Sequence, residues 1–189
     1  RGPTGPQIAG LDAAHLAALR PEQIGALSWT QTGVISPTQL AAFTTGQIGG
    51  LTAAQVSGLT GTHLAALSPN QVGALTPAQL SGLTARQIAQ LPRATFDSFS
   101  SAQVLALSPA QFGALSADNI TSLTLDEAAG LSTSQVRGLT RGQLTAVDET
   151  FIAAWSSDQR LSLTGGQLSA LSPAKLALFS GAEFAALSK

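Results

Sequence analysis

Large apolar residues and polar residues alternate in one pattern that repeats every eight residues along the whole chain, with no insertion. Counting the first large apolar residue as position 1, that position is Leu11, Leu19, Leu27, Ile35, Phe43 and Leu51, and continues in step to Trp155, Leu163, Leu171, Phe179 and Leu187. Position 6 is a second apolar slot, running from Ile8, Leu16 and Ile24 to Leu168, Leu176 and Phe184, with Thr32 and Arg160 as polar exceptions. Position 2 is mostly Ser or Thr, with Asp12 and Asp148 as substitutes, and position 5 is mostly Gln. Self-similarity at a fixed period dominates any other signal, because the fold of a repeat protein follows from its unit and its stacking.

Positions 2 and 5 spell S/T-x-x-Q. This is the capping box, in which the hydroxyl accepts from the third helical N–H and the glutamine reaches back to the N-cap N–H. Pro21, Pro37, Pro69, Pro77, Pro109 and Pro173 all fall at position 3, which this register makes the first helical residue, the place proline favours. Each octad therefore starts a new helix. A continuous α-helix would advance about 80° beyond two full turns per octad, winding its apolar stripe around the outside, and its internal prolines would each cost about 3 kcal/mol. A β-strand would put positions 1 and 6 on opposite faces, with Ala and Gln where β-branched residues are expected; a parallel β-solenoid of short strands is the weaker alternative.

A helix of five or six residues falls far below the roughly 12–15 residues needed for marginal stability alone. Stability has to come from octads above and below, and the Ala, Gly and Ser at positions 7 and 8 let helices approach closely. The expectation is an all-α solenoid or superhelix of very short capped helices, one per repeat, about 23 repeats over residues 1–189 as a single repeat domain, with three or four helices per turn.

Three octads depart from the pattern: 28–35, with Trp29 at position 3 and Thr32 at position 6; 92–99, around Phe96; and 148–155, around Phe151. Phe43, Phe99 and Trp155 lie 56 residues apart and hint at a seven-octad super-repeat. Trp29 belongs at an outward position, where an exposed Trp marks a binding surface; a local register shift that tucks it inward is equally compatible with the sequence.

Composition narrows the chemistry. Charged residues are 10% of the chain and the net charge is -1, so the electrostatic attraction that nucleic acid or anionic membrane would need is missing. No charged side chain lies between Glu22 and Arg86, which leaves Gln, Ser, Thr and backbone to solvate that stretch. Cysteine is absent, excluding disulfides and thiolate metal sites, and no apolar run approaches the 18 or so residues of a membrane span. The opening Arg1-Gly2-Pro3 and the lack of methionine suggest a processed product, or a piece of a longer protein preceded by foreign residues.

No residue set points to catalysis, a cofactor or a metal. His15 and His63 both occupy the glutamine slot, six octads apart, and read as first-turn polar residues, not ligands. The pairs Asp126/Glu127 and Asp148/Glu149 fit the N-terminal end of a helix dipole better than a pair of carboxylates across a cleft. The glycines fall on repeat positions and form no phosphate loop. Arg137, Arg141 and Arg160 give the later part more charge; together with Trp29, Arg137 and Arg141 are the candidates for contact with a partner.

The phrases Leu51-Thr52-Ala53-Ala54-Gln55-Val56, Leu75-Thr76-Pro77-Ala78-Gln79-Leu80 and Leu131-Ser132-Thr133-Ser134-Gln135-Val136 resemble the tandem L-[ST]-x-x-Q-[IVL]-x-[AG] tracts of large repetitive bacterial secreted or cell-surface proteins. The resemblance is one of repeat style across the whole chain. It implies an extracellular, non-enzymatic segment acting as spacer, stalk or scaffold. The alternative is a solenoid that recognises a protein, peptide or glycan through its outward positions.

Overall fold

A computed structural model describes residues 4–187. It is all-helical: 23 short helices follow one another from Gly5–Ala9 to Gly181–Leu187, one per octad, with no strand among the described residues. The expected capping boxes start most of them. At Ser68, for example, the hydroxyl accepts from Gln71 N–H at 3.4 Å while Gln71 Oε1 accepts from Ser68 N–H at 2.8 Å, and Pro69 occupies the first helical position. Where position 2 is Pro92, no side chain caps the helix at all.

The helices group into two compact units, Arg1–Ala106 and Leu107–Lys189. Arg1, Gly2 and Pro3, the residues whose origin was in question, lie outside the described residues. In both units a helix packs on the helix three places along the chain. In the first, Ala53–Ser57 lies against Pro77–Ser81 and Pro21–Gly25 against Thr45–Gly49; in the second, Pro109–Ala114 lies against Thr133–Gly138. Three octads thus make one turn, the lower of the two numbers the sequence allowed.

Small residues bring these helices together. A Cβ at Gly50 would sit 2.7 Å from the Pro21 carbonyl oxygen, and one at Gly25 2.8 Å from the Gly50 carbonyl oxygen. Gly82 stands in the same way over Ala53, and Gly138 over Pro109. At this spacing any side chain larger than hydrogen would push two backbones apart.

Positions 1 and 6 fill the interior. They face different neighbours, as the two outermost turns show. Ile8, Leu16 and Ile24 at position 6 are fully buried, whereas Leu11, Leu19 and Leu27 at position 1 are only half-buried. Among the later octads the order reverses: Leu163, Leu171 and Phe179 are buried, Leu168 and Leu176 are half-buried, and Phe184 is exposed. Position 6 therefore packs toward the turn that follows and position 1 toward the turn that precedes.

Candidate functional site

A five-residue helix leaves almost every backbone group without an intrahelical partner, since the first four N–H and last four C=O groups of any helix are orphans. The position-5 glutamine resolves this at two helices at once. Gln55 Oε1 accepts from Thr52 N–H at 2.7 Å, closing its own cap. Its Nε2 donates to the carbonyls of Ile24 at 2.8 Å and Leu27 at 2.6 Å, which end the helix Pro21–Gly25 one turn below. Gln79 does the same to Ile48, Gly49 and Leu51, and Gln167 to Val136, Arg137 and Leu139. These carboxamides are buried, Gln55 to 1% exposure. Within the uncharged stretch Gln47, Gln55, Gln71 and Gln79 are thus withdrawn from the solvating role that composition suggested, whereas Gln23 stays exposed.

Substitutes in this slot show that it has two separable halves. His63 retains both: Nδ1 accepts from Thr60 N–H at 3.0 Å and Nε2 lies 2.7 Å from the Ile35 carbonyl, which assigns the tautomer with the proton on Nε2. His15, in the first turn, is exposed and pairs locally, its Nδ1 2.7 Å from Asp12 Oδ1. Lys175 retains only the donor, its buried ammonium bonding the carbonyls of Leu144 at 2.8 Å and Thr145 at 3.0 Å. A cation at a helix C-terminus is also favoured by the macrodipole.

Glu183 retains only the acceptor. Its Oε2 accepts from Ser180 N–H at 2.7 Å, and its Oε1 accepts from the Ser157 hydroxyl at 2.6 Å and Arg160 Nε at 3.0 Å. The Ser157 hydroxyl, then the Ser180 N–H, with Arg160 a smaller cause, hold its carboxyl at about 2. Arg160, one of the two polar exceptions at position 6, supplies the donor that Glu183 lacks: its Nη1 donates to the Trp155 carbonyl at 2.7 Å. The other exception, Thr32, is buried and donates its hydroxyl back to the Ser28 carbonyl at 3.2 Å.

Phe151 retains neither half. Its ring is buried against Trp155 in an edge-to-face contact with centroids 5.7 Å apart. Asp148 caps this helix alone, accepting from Phe151 N–H at 2.9 Å and the Thr150 hydroxyl at 2.7 Å. The Thr150 hydroxyl first, then the Phe151 N–H, lower the Asp148 carboxyl below its ordinary range.

Of the surface candidates, Trp29 stays outward, 63% exposed, its ring edge against Gly58. Arg137 and Arg141, both exposed, lie at the end of the helix Thr133–Gly138 and the start of the helix Arg141–Ala146. Among the described residues no helix is long and apolar enough to cross a membrane, and no group of three or more His, Asp or Glu is placed to hold a metal ion. No protein-family model and no curated protein matches the chain.

Sequence reasoning found the glutamine cap but not the inter-turn bridge, Lys175 as a buried donor, or the pairing of Arg160 with Glu183. A signal was present in the slot itself: His and Lys can donate where Gln does, and Glu can accept where Gln does.

Proposed function

We propose that the chain is a non-enzymatic structural repeat module, a rigid spacer, stalk or scaffold segment of a larger protein. The carrying observation is the buried carboxamide bridge: in most octads beyond the first turn the residue that closes the helix cap also ties it to the turn below, so the repeat's polar chemistry goes into internal cross-linking. Its surface is left largely with Ser, Thr, Ala, Gly and Pro, which offer few anchors of the kind that dominate binding energy. The resemblance of its repeat style supports a setting in a bacterial cell-surface or secreted protein.

A second reading, a solenoid that binds a protein, peptide or glycan, draws support from one residue. Trp29 is the most exposed of the large apolar side chains, and Arg137 and Arg141 add charge elsewhere. Glycan and protein arrays probed with the wild-type chain separate the two. A spacer gives no Trp29-dependent saturable ligand tighter than about 0.1 mM, roughly 5.5 kcal/mol. Saturable binding abolished by Trp29→Ala would replace the spacer with the binding module.

A further inference from the structure

The octad 147–154 leaves a bridge unmade, and a cavity of about 210 Å³ opens at that place. A glutamine at position 151 would donate to the carbonyls of Thr121 and Leu123, by the spacing with which Gln159 reaches Ala129 at 3.0 Å and Leu131 at 2.6 Å. Phe151 has no donor, and neither the Thr121 nor the Leu123 carbonyl receives a hydrogen bond from any described residue. Both residues line the cavity, together with Leu125, Asp148, Thr150 and Phe151. Acceptors at the end of a helix, an aliphatic and aromatic wall, and one carboxylate thus converge on a single opening.

We propose that this cavity binds a primary alkylammonium group, its N–H donors on the Thr121 and Leu123 carbonyls, its charge beside Asp148, and its aliphatic stem against Leu125 and Phe151. The molecule itself supplies a partial precedent one turn along: Lys175 Nζ donates to the carbonyls of Leu144 and Thr145, and Thr145 is the counterpart of Thr121. Lys175 is spent on that cradle, and its charge lies close enough to act on Asp148. Asp148 forms no ion pair within 4 Å with any described residue, and the neighbouring acids Asp126 and Glu149 are exposed, so the surroundings favour a cation over a neutral amide. The same chemistry is offered by a free amine and by the lysine side chain of a partner. This site stands independently of the spacer reading, which concerns the repeat as a whole.

The test is an NMR titration of the full chain with n-butylammonium, following backbone amides of residues 121–125 and 146–151. Saturable shifts confined to these residues are expected, with n-butyltrimethylammonium, which has no N–H donors, binding at least about tenfold more weakly. Phe151→Gln refills the cradle and should abolish binding. Asp148→Asn keeps an N-cap and should weaken binding about tenfold. Equal binding of the quaternary amine to the wild-type chain, or undiminished binding in folded Phe151→Gln, overturns the proposal. A capped tripeptide, acetyl-Gly-Lys-Gly-amide, separates the sources: tighter binding than butylammonium assigns the site to a partner's lysine, and equal or weaker binding assigns it to a free amine.

Discussion

Gln23 and Gln79 close the same local cap in the first unit, yet one is exposed and the other buried. Gln23 Oε1 accepts from Arg20 N–H at 2.9 Å and its amide nitrogen meets no described partner. Gln79 Oε1 accepts from Thr76 N–H at 2.7 Å, and its amide nitrogen also serves three carbonyls of the turn below. Gln7, at the same level as Gln23, behaves like it. The difference teaches that the cap is a property of eight residues, whereas the bridge is a property of two turns. Burial then raises the stakes, because a carbonyl hidden from water and left without a donor costs far more than an exposed one.

The sharpest way to break this comparison is to truncate both glutamines. Gln79→Ala removes an acceptor and two amide protons and leaves carbonyls of Ile48, Gly49 and Leu51 without their donor; urea unfolding should show a loss of about 2–4 kcal/mol. A loss near zero would mean that the bridge adds nothing. Next in size is the close approach that makes the bridge reachable. Gly50→Ala forces a Cβ against the Pro21 backbone and should cost about 1–3 kcal/mol by the same measurement, whereas Gly165→Ala, with nothing within 4 Å of its Cβ, should cost nothing or stabilise slightly.

The pH dependence of the second unit sharpens the comparison from the acceptor side. Glu183 has its folded carboxyl lowered from 4.5 to about 2, so the folded state binds the proton less readily than the unfolded chain. Its contribution is therefore complete above about 4.5 and is lost as pH falls toward about 2. Thermal melts between pH 5 and pH 2 should show a decline in the wild type that Glu183→Gln makes shallower. The smallest effect belongs to the first turn: Gln23→Ala should cost about 0.5 kcal/mol, the worth of an exposed cap contact.

Everything set within one octad was legible in the sequence: the helix starts at Ser68 and Thr76, the prolines at the first helical position, the apolar spine and the need for small residues. What escaped lay 23 to 31 residues away. A period of eight says nothing about how many octads complete a turn, so the Gln79 amide had no visible partner at Ile48, and its burial followed from that partner. Trp29 could not be oriented because the residue it rests on, Gly58, belongs to the next turn. Arg160 looked like a defect in the core slot until Glu183, 23 residues on, supplied its counterpart.

Hydrogen exchange of the glutamine side-chain amides, resolved by ¹⁵N NMR of the native chain, tests the inter-turn bridge most directly. The amide protons of Gln55, Gln71, Gln79 and Gln87 should exchange far more slowly than those of Gln7 and Gln23, which should exchange as in an unfolded peptide. Uniformly fast exchange across all six would contradict the bridge.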